Sequence, residues 1–192
     1  SIRAELLLFL ARARSQGVVE RDVRTDLEFG ALLDSFASAA TLAATIASSV
    51  FAGGRVFVAM GQSPGHGNGP SLVHAISPDG LGDVTASRLL WTSREVGRVV
   101  GTPIARDGLL YVGDLGGTLH CLDAATGAHV WRHETSEAIW GSLLLADDRL
   151  YVGNVDGRMT VLRAGRRKEV LGQIEMDAPL YSPPALVGDS LY

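Results

Sequence analysis

The side chains best suited to move protons or hold a metal are five histidines: His66, His74, His120, His129 and His133. On a helix, His129 and His133 would share a face and chelate an ion. On a strand they lie about 13 Å apart at roughly 3.3 Å per residue, too far for one metal. The apolar runs around them are short and strand-like, so both are expected at a surface or strand edge. His66 and Asn68 stand in a glycine-rich stretch, Gly61 to Ser71 (GQSPGHGNGPS), and are the candidates for a binding loop, with a plain surface loop as the simpler alternative. That stretch lacks the Gly-Lys-Ser/Thr of a phosphate loop and no helix pattern follows it, so nucleotide binding has no footing. The turns Asp114-Leu115-Gly116-Gly117 and Asn154-Val155-Asp156-Gly157 begin like calcium loops but lack a third carboxylate and a closing Glu, and are read as β-turns. Ser142 and Ser182 belong to no G-x-S-x-G elbow. No catalytic, cofactor-binding or metal-ligating residue is assigned on these grounds.

The elements that must position these residues form a repeat. Gly101 to Trp131 breaks into four short apolar runs separated by Asp-Gly, Gly-Gly and Thr-Gly turns, the pattern of an antiparallel meander. Leu110-Tyr111-Val112-Gly113 returns as Leu150-Tyr151-Val152-Gly153 after 40 residues, and Leu191-Tyr192 opens a further copy. An earlier copy, Arg55-Val56-Phe57-Val58, is longer, with its surplus in Gly61 to Ser71 and Ser77 to Arg88. A period near 40 built of four short strands marks a β-propeller blade. The expected fold is mainly β: a partial, open propeller of about three four-stranded blades, preceded by two α-helices. The blades are placed at about 48–95, 101–134 and 141–175, with another starting at 181–192.

Within the unit, Cys121-Leu122-Asp123-Ala124-Ala125-Thr126-Gly127-Ala128-His129-Val130-Trp131 resembles the quinoprotein-type (PQQ-like) propeller repeat, whose core reads A-x-D-x-x-T-G-x-x-x-W. The resemblance covers about residues 48–192. Ala75-Ile76-Ser77 through Leu90-Trp91 is a stretched copy, and Val161 to Gly165 lacks the Asp, Thr and Trp. The segments GQSPGHGNG, GDVTAS and IWGS resemble a bacterial subgroup of these repeats expected to be exported. In this family the motif docks one blade on the next, so Asp123, Thr126, Gly127, Trp131 and Trp91 are expected to be structural. Independently of the family, Asp123 can accept from amides two or three residues ahead, and Gly127 supplies positive φ. The same repeat builds an outer-membrane-protein assembly lipoprotein and the quinone-dependent alcohol dehydrogenases. For the dehydrogenases the resemblance implies a calcium or lanthanide held by Glu, Asn and Asp, a catalytic Asp and adjacent cysteines. The chain has one cysteine, Cys121, and no position matching the metal ligands.

Residues 1–46 differ in kind. Ile2, Leu6, Phe9, Leu10 and Ala13 fall at helical spacing, and Thr25-Asp26-Leu27-Glu28 is a capping box opening a second helix with Phe29, Leu32, Leu33 and Phe36 on one side. Helices are expected at about 2–16 and 26–44. This segment resembles the C-terminal ligand-binding and dimerisation region of TetR-type regulators, without a DNA-reading helix-turn-helix; a helical cap or linker is the alternative. The net charge of −4 and pI near 5.7 carry no nucleic-acid footprint. No transmembrane span and no signal peptide stand in the sequence. A closed propeller takes about four to eight blades, so further blades are expected beyond this chain. The leading functional expectation is a non-catalytic scaffold of the cell envelope, periplasmic or extracellular, binding a protein or small-molecule ligand. The alternatives are a fragment of a quinone-dependent alcohol dehydrogenase, which alone would use PQQ and calcium, and regulator-type helices fused to a propeller fragment.

Overall fold

The computed structural model describes residues 47–60, 71–79, 85–188 and 190–192. Both expected helices, and His66 and Asn68, lie outside the described residues. The remainder is three antiparallel four-stranded sheets and a hairpin. The first sheet runs β1 (Val50–Ala52), β2 (Arg55–Met60), β3 (Leu72–Ile76) and β4 (Leu89–Ser93), with one helical turn, α1 (Thr85–Arg88), leading into β4. The second runs β5 (Ile104–Arg106), β6 (Leu109–Gly113), β7 (Thr118–Asp123) and β8 (His129–Glu134). The third is β9 (Leu144–Ala146), β10 (Arg149–Gly153), β11 (Arg158–Arg163) and β12 (Val170–Glu175), followed by the hairpin β13 (Leu186–Val187) and β14 (Ser190–Leu191).

Register carries the sequence repeat into space. Phe57 lies opposite Ala75 and Ala75 opposite Trp91. Tyr111, Cys121 and Trp131 make the same rung in the second sheet, and Tyr151, Val161 and Gly172 in the third. Each sheet shifts register at the next step outward, after Ala75, Cys121 and Val161. The bulge lets the outer strand twist away while the inner three stay in step.

The sheets stack face to face because their central strands are apolar on both sides. On β7, Leu119 and Cys121 join the cluster shared with the third sheet, with Tyr111, Trp131, Leu150, Val152 and Leu162. Leu122 points the other way, into the cluster shared with the first sheet, with Phe57, Ala59, Val73, Ala75, Leu110 and Val112. The connecting segments complete both cores: Val96 and Val99 enter the first, Ile139 the second. Gly113 is required by that arrangement, since a Cβ there would stand 2.6 Å from the Ile139 side chain. Leu110, Leu122, Leu150 and Leu162 are fully buried, each contributing about 1.5–3 kcal/mol.

The outward side of the third sheet and the hairpin beside it are different. Ile174 is 48% exposed, Tyr181 61%, Val187 65% and Tyr192 77%. Clustered apolar side chains of this kind drive association. The isolated chain is therefore expected to bind a hydrophobic dye and to elute above its monomer mass in size-exclusion chromatography. A monodisperse monomer that leaves the dye dark would contradict this.

Candidate functional site

Two sets of side chains converge at the seams between sheets. The first is built on the β7–β8 turn. Asp123 Oδ1 accepts from the amides of Ala125 (3.1 Å) and Thr126 (3.2 Å) and from the Thr126 hydroxyl (3.2 Å), which closes the turn. Its Oδ2 accepts from Arg166 of the third sheet at 3.0 Å; that bond, with those of the turn, holds the carboxyl below its ordinary range despite some desolvation. Gly127 has φ 74°, and a Cβ on it would stand 2.5 Å from the Trp91 ring. Trp91 therefore lies flat against this turn from the first sheet, and its Nε1 donates to the Ala124 carbonyl at 3.1 Å. One sheet further on, Trp131 Nε1 donates to the Gly165 carbonyl at 2.8 Å, while the Gly165 amide donates to the Tyr111 hydroxyl at 2.8 Å. Each indole also packs on the aromatic ring of its own rung, Trp91 on Phe57 at 6.0 Å and Trp131 on Tyr111 at 5.9 Å between centroids.

The second set is a buried polar chain between the first two sheets. Asp114 opens the β6–β7 turn, where its Oδ1 accepts from the amides of Gly116 and Thr118, both at 2.9 Å. Its Oδ2 accepts from the Gly97 amide and from His120 Nε2, again both at 2.9 Å. His120 Nδ1 lies 2.9 Å from His129 Nε2 across the strand pair, and His129 Nδ1 lies 3.0 Å from Arg132 Nη2. Glu95, on the segment joining β4 to β5, pairs with Arg132 and stands 3.4 Å from His129 Nδ1. Arginine can only donate and an ionised carboxylate can only accept, so we assign the proton direction along the chain: Arg132 to His129, His129 to His120, His120 to Asp114. Burial pushes the Asp114 carboxyl up, but the bonds from His120 and the amides of Thr118 and Gly97 outweigh it and leave the group below its ordinary value. The third sheet keeps the turn without the chain. Asn154 Oδ1 accepts from the amides of Asp156 (3.1 Å) and Arg158 (2.9 Å), its Nδ2 donates to the Thr135 carbonyl at 2.7 Å, and Thr160 stands where His120 would.

The family described as outer membrane protein assembly factor BamB matches residues 71–189. The chain belongs to that family. Among solved structures, BamB from Moraxella catarrhalis superposes with a TM-score of 0.57 at 17% identity, over 73% of this chain and 39% of that one. The computationally designed Ika4 protein superposes with a TM-score of 0.59 at 15% identity, over 78% of this chain and 84% of that one. The quinohemoprotein alcohol dehydrogenases of Pseudomonas putida and Comamonas testosteroni are each 29% identical, over 87 and 86 residues. This chain aligns with only 13% and 12% of their lengths, and with 40% and 39% of its own. Nothing in these similarities supports the TetR-type resemblance of residues 1–46.

In this BamB-family chain the residues singled out from sequence come together at the two seams: Trp91 with Gly127, and Trp131 one sheet on. Asp123 and Thr126 act on the turn itself. His129 and His133 share β8 and do not converge on one ion. Among the described residues, no group of three or more His, Cys, Asp and Glu is arranged to hold a metal. Sequence reasoning missed the Asp114–His120–His129 chain, because its members were weighed singly or along one strand. It also missed the burial of His74, whose Nδ1 bonds Thr92 Oγ1 at 2.9 Å and whose pKa is lowered by burial and by Arg94. Burial pushes the Tyr111 hydroxyl and the Cys121 thiol each up to about 12, which keeps both neutral and unreactive at ordinary pH.

Proposed function

We propose that this BamB-family propeller segment is a non-catalytic scaffold of the cell envelope that offers its strand-connecting loops to a protein partner. One contrast carries this reading. The groups capable of chemistry, Asp114, His120, Asp123 and the two docking indoles, are engaged at the seams, whereas Trp140 and Tyr181 stand exposed on successive connectors. These two rings, 39% and 61% exposed, meet edge to face at 6.2 Å. Aromatic side chains presented in this way are favoured anchors for a protein surface. The family description supports an outer-membrane assembly protein as the partner and the periplasm as the compartment. No helix among the described residues is long and apolar enough to cross a membrane. A photo-crosslinking residue at position 140, placed in the full-length protein in its own cells, is expected to trap an outer-membrane assembly component, and one at the exposed Arg167 is not. Equal yields from both positions, or none from 140, would count against the proposal.

The partial identity to quinohemoprotein alcohol dehydrogenases favours one alternative, a piece of such an enzyme. The donors described here fit its quinone and calcium poorly, since both Asp114 oxygens are already occupied by three amides and an imidazole. Reconstitution with the quinone and calcium, followed by dye-linked alcohol oxidation, is expected to give no turnover. Turnover would install the alternative.

A further inference from the structure

We propose that residues 1–46 cap the outward face of the first sheet, taking the place that a preceding sheet holds at the other seams. In every sheet one face of the two central strands turns towards whatever comes before it in the chain. Leu110 opposite Leu122 and Val112 opposite His120 form that face in the second sheet, and Leu150 opposite Leu162 and Val152 opposite Thr160 in the third. The first sheet repeats these pairs as Val56 opposite Ile76 and Val58 opposite His74, continued by Met60 opposite Leu72. No described sheet precedes it, yet none of these six side chains is more than 8% exposed. They belong to neither cluster between sheets, and the neighbours that do, Phe57, Ala59, Val73 and Ala75, point the other way.

The six are buried within a single chain, so their cover belongs to the chain itself. Outside the described residues, 61–70 (GQSPGHGNGP) has no large apolar side chain, and 80–84 (GLGDV) has Leu81 and Val84 alone. Residues 1–46 carry Leu6, Phe9, Leu10, Phe29, Leu33 and Phe36, spaced for an apolar stripe in each half with arginines and carboxylates between. They lead directly into Ala47, which is buried just before β1. An amphipathic segment of this kind closes the end of a repeat stack, apolar side in and charged side out. With that end closed, copies can associate through the third sheet but cannot add head to tail.

Methyl NMR of the full chain tests the cap. The methyls of Met60, Leu72 and Ile76 are expected to show nuclear Overhauser contacts to Leu or Phe side chains of residues 1–46, as groups packed within about 4.5 Å do. In a mixture of labelled and unlabelled chains these contacts are expected to stay within one molecule. A soluble paramagnetic chelate is expected to leave Met60 and Ile76 as sharp as the core residue Leu150. It should broaden them, and not Leu150, in at least one of two variants, Leu6→Asp with Phe9→Asp and Leu33→Asp with Phe36→Asp. Contacts between molecules would show that a second copy covers the face, and contacts only to 61–70 or 80–84 would give the cover to those segments. Either result would overturn the cap, as would broadening in the unaltered chain, or two folded variants that leave Met60 and Ile76 sharp. If Leu150 broadens as well, the variant has lost its fold and the contacts of the unaltered chain decide alone.

Discussion

Trp131→Ala is expected to destabilise the chain by about 3–5 kcal/mol, the range for removing a large buried aromatic side chain. Trp131 is 9% exposed and belongs to the cluster between the second and third sheets. Its loss leaves a cavity beside Tyr111, Leu119 and Cys121 and deprives the Gly165 carbonyl of its donor. Tyr111 would still hold the Gly165 amide, so the turn is half released rather than free. Trp131→Phe separates the two contributions. It keeps most of the apolar contact but loses the indole N–H, and the missing hydrogen bond alone is worth about 1 kcal/mol. Urea unfolding monitored by circular dichroism would read both, with the m-value unchanged if the seam and not the unfolded chain is affected. A loss below about 1 kcal/mol for the alanine variant would mean that the indole does not secure this seam.

The sheet architecture was legible because the repeat places like residues on like rungs. Phe57, Tyr111 and Tyr151 occupy the same strand position, and the tryptophans at 91 and 131 end the same rungs. Even the motif missing from the third copy has its counterpart, since Gly172 stands on that rung with nothing near the place a Cβ would take. The histidine chain was not legible in the same way. Spacing along one strand rightly separates His129 from His133, but the bond that forms runs across the hairpin, from His129 to His120, nine residues back. Arg132 lies opposite His120 in the regular register, but the shift after Cys121 brings His129, in place of Val130, opposite Leu122, and no periodicity announces a bulge. One signal was available: at the repeat spacing, Asp114 and His120 become Asn154 and Thr160 together, an acid and a base exchanged for neutral partners. Glu95 and Gly97, on an irregular segment, had no repeat to mark them.

The close fit of Gly127 against Trp91 makes a testable coupling. Gly127→Ala should carry two costs. Alanine at φ 74° is strained by about 1–2 kcal/mol, and the new methyl, 2.5 Å from the Trp91 ring, must push it off the turn for about 1–3 kcal/mol more. Trp91→Ala removes the ring and should itself cost about 3–5 kcal/mol. In that background the methyl meets no indole, so only the backbone strain remains. The double variant should therefore be more stable than the sum of the two losses implies, with a coupling of about 1–3 kcal/mol measured by urea unfolding of the four proteins. Gly172→Ala, at the third sheet's counterpart of Trp131 and in open space, should change stability by no more than about 0.5 kcal/mol. Strict additivity of the first pair would show that the glycine is there for its backbone alone. The asymmetry between the two positions is what separates a glycine beneath an indole from one in open space: the repeated four-stranded sheets tolerate a side chain where no neighbouring ring descends and refuse one where it does.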